Sequence, residues 1–137
     1  MYSMKETCNQ VGMTYETLKF YCNEGLIPNV QRDKNNYRIF DDNNINWIKS
    51  LSCLKKCGMS IDEMKKYLNL CLQGESSIPE RKIMLDKKRN DLELKKKDIE
   101  DSLAFINWKQ NFYSEVLSGK TEYFSYLIKR NNTKNKQ

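Results

Sequence analysis

The sequence contains no histidine, which removes the commonest general base and the commonest metal ligand and makes an enzyme a poor first assignment. Only five glycines and two prolines interrupt 137 residues. So few turn formers cannot serve many short strands, and a mostly helical chain is expected. No stretch approaches the ~18 unbroken apolar residues needed to cross a bilayer, and no charged-then-apolar leader precedes a cleavage site. The expectation is a cytoplasmic protein with no membrane partner. Five cysteines are present, Cys8, Cys22, Cys53, Cys57 and Cys71, but no Cys-x-x-Cys pair. An odd count without a leader argues against a disulfide framework, and nothing is spaced to hold a metal or an iron–sulfur cluster. Free thiols in a reducing compartment and no cofactor are the expectation.

Basic residues are abundant: 24 Lys and Arg stand against 18 Asp and Glu, a net charge of +6. An excess of that size suggests an anionic partner, and residues 78–137 carry +5 of it against +1 for residues 1–77. Charge alone therefore places any nucleic-acid site in the second half. Apolar residues make up 39% and charged ones 31%, enough for a core but a thin one.

The first half is punctuated as a set of short helices. Ser3 to Val11 is helical and stops at Gly12, a natural left-handed terminator. Thr14 caps a second helix that runs to about Glu24 and closes at Gly25. Two short helices joined by a tight glycine turn form a helix-turn-helix pattern. Around Asn35-Asn36 the alternation predicts a small hairpin with asparagine at positive φ. Asp41 or Asp42 caps a third helix that Gly58 ends, and Ser60-Ile61-Asp62-Glu63 is a capping box for a fourth, through roughly Leu72. Gln73 to Ser77 reads as a loop.

The second half changes character. Ser77-Ile78-Pro79-Glu80 reads as another capping box, and no glycine or proline follows until Gly119. Ile78, Leu85, Leu92, Ile99, Ile106 and Tyr113 recur every seven residues, a single heptad seam on a helix of about 40 residues, or ~60 Å. Such a helix has nothing in its own chain to cover the seam, so a second copy is the simplest partner. Leu85, Leu92, Ile99, Leu103, Ile106 and Tyr113 are the candidate dimerisation residues. The companion seam is polar at Arg81, Lys88 and Lys95 and turns apolar only at Val116. Phe105, Trp108, Phe112, Tyr113, Tyr123, Phe124 and Tyr126 are expected to form an aromatic plug against a short helix from Thr121 to Arg130, and 131–137 to be disordered.

Tyr2-Ser3-Met4, Val11-Gly12-Met13-Thr14, Thr17-Leu18-Lys19-Phe20-Tyr21, Glu24-Gly25-Leu26-Ile27-Pro28, Asn36-Tyr37-Arg38-Ile39-Phe40 and Cys57-Gly58-Met59-Ser60 stand in order. Over residues 1–72 this combination resembles the MerR family of bacterial transcriptional regulators. The resemblance implies a mostly α fold: a winged helix-turn-helix DNA-binding domain followed by a long antiparallel coiled-coil dimerisation helix. The implied division is 1–75 for the DNA-binding domain, 76–118 for the dimerisation helix, 119–130 for a short terminal helix and 131–137 for the tail. It further implies a homodimer on an inverted repeat in promoter DNA, acting on RNA polymerase by distorting the duplex.

The implied DNA contacts are Thr14, Tyr15, Thr17, Lys19 and Tyr21 on the recognition helix and Asn36, Tyr37 and Arg38 on the wing. Their chemistry agrees. Small hydroxyls at a helix start suit phosphate, Lys19 is turned outward by the core residue Leu18, and the Tyr21 hydroxyl can donate to phosphate. Lys19 stands where the family usually has arginine, so the planar fork for bidentate guanine reading is missing. Asn36 replaces the usual glycine, and Cys22 a usual acidic residue. A Thr-x-x-Thr start taken by itself is only a capping device. Order, spacing and wing together favour DNA over the alternative, a coiled-coil module that binds protein without DNA.

The short second half leaves no room for a large drug-binding domain. With no cysteine beyond Cys71, it also lacks the positions at which metal- and redox-sensing relatives carry theirs. The segment Trp47 to Ser60 and the stretch Gly74 to Arg89 resemble the thiol-based, aldehyde-responsive branch, which carries one cysteine at the position of Cys53. On a helical projection Cys53 lies about 200° from Leu51, off the buried stripe of Ile48, Leu51 and Leu54 and beside Asn46, Lys49 and Lys56. Nearby lysines favour thiol reactivity, making Cys53 the candidate sensor thiol. Cys8, Cys22 and Cys71 read as structural.

Overall fold

The structure is a computed structural model that describes residues 1–129. It contains two compact units, Met1–Leu92 and a second that begins at Glu93.

The first four helices each begin where a side chain supplies the missing acceptor. Helix α1 (Met4–Val11) starts at a Ser3–Glu6 capping box and ends at Gly12, whose φ of 68° suits a residue without Cβ. Helix α2 (Tyr15–Asn23) is capped by Thr14, helix α3 (Asp42–Lys56) by an Asp41–Asn44 box, and helix α4 (Ile61–Leu72) by a Ser60–Glu63 box. The sheet is small. Strand β1 (Tyr2–Ser3) and strand β2 (Gln31–Arg32) both pair antiparallel with β3 (Arg38–Phe40), in the order β1-β3-β2. The β2–β3 hairpin is the expected wing, with Asn36 at φ 65° at its tip. The Asp33 carboxylate accepts from the Asn35 and Tyr37 amides and holds the turn.

The core is the apolar stripe of these helices closed by the sheet: Leu18, Tyr21, Leu26, Phe40, Ile45, Ile48, Leu51, Met59 and Met64 are buried. Cys8 and Cys22 pack against it, as structural cysteines should. Two hydrogen bonds tie the approach to the wing onto α3. Trp47 Nε1 donates to the Leu26 carbonyl at 2.7 Å, and Asn44 Nδ2 to that of Pro28 at 3.1 Å.

Helix α5 (Ile78–Leu117) is the 40-residue helix the heptads predict. Its start differs from expectation. Gly74–Ser77 is a turn of 3-10 helix rather than open loop. Ser77 is buried, and its hydroxyl donates to the carbonyls of Leu70 and Gly74 while accepting from Arg81 Nε at 3.0 Å. The hydroxyl expected to cap α5 is spent on holding α4 against it. Lys88 reaches back to Glu63 at 3.0 Å and to the Gly58 carbonyl. Both bonds lie within the first unit.

The second unit contains the aromatic plug. Phe112, buried, stacks on Trp108 at 5.7 Å and meets Phe124 at 4.8 Å. The helix expected over 121–130 is absent from the described residues 121–129. Gly119, at φ 82°, turns the chain away. The Ser125 hydroxyl then accepts from the Leu127 amide at 3.0 Å, a local bond that competes with a helical one. The tail expected to be disordered lies outside the described residues.

Candidate nucleic-acid interface

The interface is built on α2. Leu18 is completely buried, and its neighbours Thr17 and Lys19, about 100° to either side, turn away from the core. Thr14, Tyr15 and Lys19 are exposed and Thr17 is half-buried. Thr14 Oγ1 accepts from the Thr17 amide and donates to Thr17 Oγ1 at 2.9 Å. The capping role and the outward placement of the threonines therefore coexist. Lys19 forms no ion pair among the described residues, which leaves its charge available to an anion.

Beside the start of α2 lies a notch of about 240 Å³ lined by Thr14, Thr17, Tyr21, Ser52 and Lys55, with Gly12 and Met13. Hydroxyls, a cation and the amide end of a helix converge there, a combination suited to phosphate oxygens. Ser52 and Lys55 come from the last turns of α3, and the linear sequence gives no sign that they face α2.

Tyr21 corrects an expectation. Its ring is 2% exposed and belongs to the core, so it is no surface tyrosine. Its Oη is buried without a hydrogen-bond partner, although the residue lines the notch. Burial pushes its phenol pKa up, which keeps the hydroxyl a donor. A helical wheel agrees with this, because Leu18 and Tyr21, three apart, share the inner face.

The wing stands beside this helix. Tyr37 is 70% exposed and Asn36 is exposed at the tip. The Asn36 carbonyl accepts from Arg32 Nη1 at 2.8 Å. Arg38 is placed otherwise than expected. It is half-buried, and its Nη2 donates to Asn23 Oδ1 in the last turn of α2 at 2.8 Å. At least one of its five donors thus joins wing to helix instead of projecting outward. The two arginines also pull the Cys22 pKa down, but burial dominates and raises it.

The candidate sensor thiol lies on a different face. Cys53 is exposed and borders a cavity of about 400 Å³ between α3 and α4, lined also by Trp47, Lys49, Ser50, Leu54, Tyr67 and Cys71. Of the two lysines expected beside it, Lys49 lines the cavity and Lys56 does not. Cys71, expected to be merely structural, lines it too, with Arg81 Nη1 4.0 Å from its sulfur. Among the described residues there is no group of three or more Cys, Asp or Glu side chains fit to hold a metal.

The candidate dimerisation residues Leu85, Leu92, Ile99, Leu103, Ile106 and Tyr113 are all between 37% and 61% exposed on α5. No described helix is long and apolar enough to cross a membrane.

Residues 2–71 match the profile of the MerR HTH family regulatory proteins. An HTH-type transcriptional regulator of Haemophilus influenzae is 30% identical over 115 residues, covering 84% of this chain and 85% of that protein. The HTH-type transcriptional regulator AdhR of Bacillus subtilis is 32% identical over 90 residues, covering 66% of this chain and 64% of its own. Among solved structures, HiNmlR, a MerR family regulator lacking the sensor domain and bound to promoter DNA, is similar with a TM-score of 0.73 at 29% identity. That match covers 85% of this chain and 93% of HiNmlR. These relatives are regulators, not enzymes. The chain belongs to the MerR family of helix-turn-helix, DNA-binding transcriptional regulators.

Proposed function

We propose that the chain acts as a homodimer on an inverted-repeat promoter, distorting the duplex so as to control RNA polymerase, with Cys53 as the thiol through which reactive aldehydes or oxidants are felt. The observation that carries the DNA reading is the pairing of an anion-suited notch at the start of α2 with a wing bonded to the end of the same helix. In this reading α2 enters the major groove. Thr14, Tyr15, Thr17, Lys19 and Lys55 meet phosphate and base edges, and Asn36, Tyr37 and Arg38 rest on the neighbouring backbone. The promoter-bound state of HiNmlR supports it.

The dimer is supported by the α5 seam. Six half-exposed apolar side chains on one stripe remain in water unless a second helix covers them. An antiparallel pairing offers each seam an identical partner and sets two α2 helices on one duplex. The sensor reading rests on Cys53 being exposed beside a cavity and on the similarity to AdhR.

Sedimentation of the full chain with a promoter duplex tests the assembly. Two chains per duplex are expected, and one chain per duplex overturns the dimer. In a reporter strain, Cys53→Ser is expected to abolish induction by aldehyde. Unchanged induction removes Cys53 from the account.

A further inference from the structure

Cys53 is not the only nucleophile in its groove. Lys49, one helical turn earlier on α3, lines the same cavity of about 400 Å³ and forms no ion pair among the described residues. Residues four apart on a helix are surface neighbours, about 5–6 Å between Cβ atoms. A three-carbon unit therefore spans the distance between a cysteine sulfur and a lysine nitrogen there. The other walls are unlike a simple thiol surface: Trp47 and Leu54 from α3 and Tyr67 from α4 give the cavity an apolar lining beside the two nucleophiles. A nucleophilic pair with an apolar trough beside it suits a ligand with two electrophilic carbons and a hydrocarbon tail.

We propose that the α3–α4 groove is a two-point capture site for α,β-unsaturated aldehydes with an apolar tail. The proposal rests on the sensor reading of Cys53 and gives it a substrate class and a second residue. In the first step the Cys53 sulfur forms a bond to the β-carbon. The carbon–carbon π pair passes to the α-carbon, which takes up one proton in place of the one the thiol gives up. The carbonyl survives this addition. In the second step Lys49, as the neutral amine, attacks the carbonyl carbon. The two nitrogen protons leave with the carbonyl oxygen as water, and a carbon–nitrogen double bond closes the bridge. Nothing is oxidised or reduced. The tail lies along Trp47, Leu54 and Tyr67. A saturated aldehyde can make only one of these bonds at a time, and reversibly, so the groove distinguishes the two classes.

The test uses the full-length protein and trans-2-hexenal, with crotonaldehyde as the short-tailed enal and hexanal as the saturated control. Peptide mass spectrometry is run with and without borohydride, which reduces an imine to a stable amine. The expected product is a Cys53-containing peptide carrying the mass of hexenal less one water, to which borohydride adds two hydrogens as it fixes the bridge to Lys49. Lys49→Arg keeps the cation but cannot form the bridge, and is expected to yield the full hexenal mass on Cys53 with no water lost. After correction for each aldehyde's rate with glutathione, hexenal is expected to modify Cys53 about 5- to 10-fold faster than crotonaldehyde, since each buried methylene is worth up to about fourfold.

Water loss unchanged in Lys49→Arg, equal corrected rates for the two enals, or labelling spread evenly over the five cysteines overturns the proposal. The sensor reading is tested separately by promoter affinity of the modified protein. A bridged adduct with unaltered DNA binding defeats the sensor reading and leaves the capture site standing. Cys53-dependent regulation by formaldehyde without any bridge by hexenal does the reverse.

Discussion

Arg38 Nη2 donates to Asn23 Oδ1 at 2.8 Å, so the first residue of β3 is joined to the last residue of α2. The wing is thereby oriented by the recognition helix, and its contribution to DNA binding depends on a residue that carries no charge. Asn23→Ala removes the bond and leaves every cation in place. Its expected effect is a 3- to 10-fold weaker promoter affinity, about the worth of one charge-assisted hydrogen bond at a partly exposed site. Fluorescence anisotropy at several salt concentrations checks this, with the salt dependence expected to be unchanged.

Lys19 and Lys55 are expected to behave differently. Each lysine that neutralises a phosphate releases counterions, so its loss lowers the slope of log affinity against log salt by about 1. Lys19→Ala and Lys55→Ala are each expected to do so per protomer in the same titration. A slope left unaltered by Lys55→Ala would detach the notch beside α2 from the interface.

Tyr21→Phe separates folding from binding. A buried hydroxyl without a partner costs roughly 1–3 kcal/mol, so removing it is expected to leave the thermal midpoint of the free protein equal or higher. The same change is expected to leave promoter affinity unchanged, because the buried hydroxyl does not reach the surface of the notch. A lower midpoint would show the hydroxyl to be satisfied within the protein.

The Ser60–Glu63 capping box gives a pH signature. The bond between Glu63 and the Ser60 backbone amide, and secondarily Lys88, lowers the Glu63 pKa from the ordinary 4.5. A group whose pKa is lower in the folded state contributes stability above its unfolded value. That contribution is lost as pH falls through the folded value. Glu63→Gln keeps the capping geometry but removes the charge. It is expected to lower stability by about 0.5–1 kcal/mol at pH 7 and by nothing once the wild-type carboxyl is protonated. Glu6 has a lowered pKa for the same capping reason, but it is common to both proteins and cancels in the difference. Paired denaturant melts from pH 7 to pH 3 measure it.

For the α5 seam, Ile99→Glu places a charge at a heptad position that is solvent-exposed in the single chain. Circular dichroism is expected to show the first unit still folded, while sedimentation shows dimer lost by at least tenfold in association constant. A dimer unaffected by this change would mean that another surface holds the two copies together.

The local rules were readable because they depend on neighbours in sequence. Thr14 and Ser60 cap the helices they precede, Gly12 ends α1, and Asn36 takes positive φ at the wing tip. Several readings that needed correction depend on contacts between separate elements, whereas the missing helix over 121–129 reflects a local bond between Ser125 and Leu127. Tyr21 belongs to one buried cluster with Ile45, Ile48, Leu51 and Met64 of α3 and α4, and Arg38 gives a donor to Asn23 at the end of α2. Ser77 abandons its expected cap for the end of α4, and β1 exists only because Tyr2 and Ser3 meet Phe40 and Ile39. Lys55 has no sequence signal, and Cys71 reads only as structural, because each gains its meaning from the helix opposite.

The central claim is that this chain binds promoter DNA as a symmetric pair, and footprinting on the promoters of its own and neighbouring genes tests it most directly. The expected result is one protected region containing two inverted half-sites, with altered reactivity between them where the duplex is distorted. Protection of a single half-site, or none at any protein concentration that saturates the α5 dimer, would contradict it.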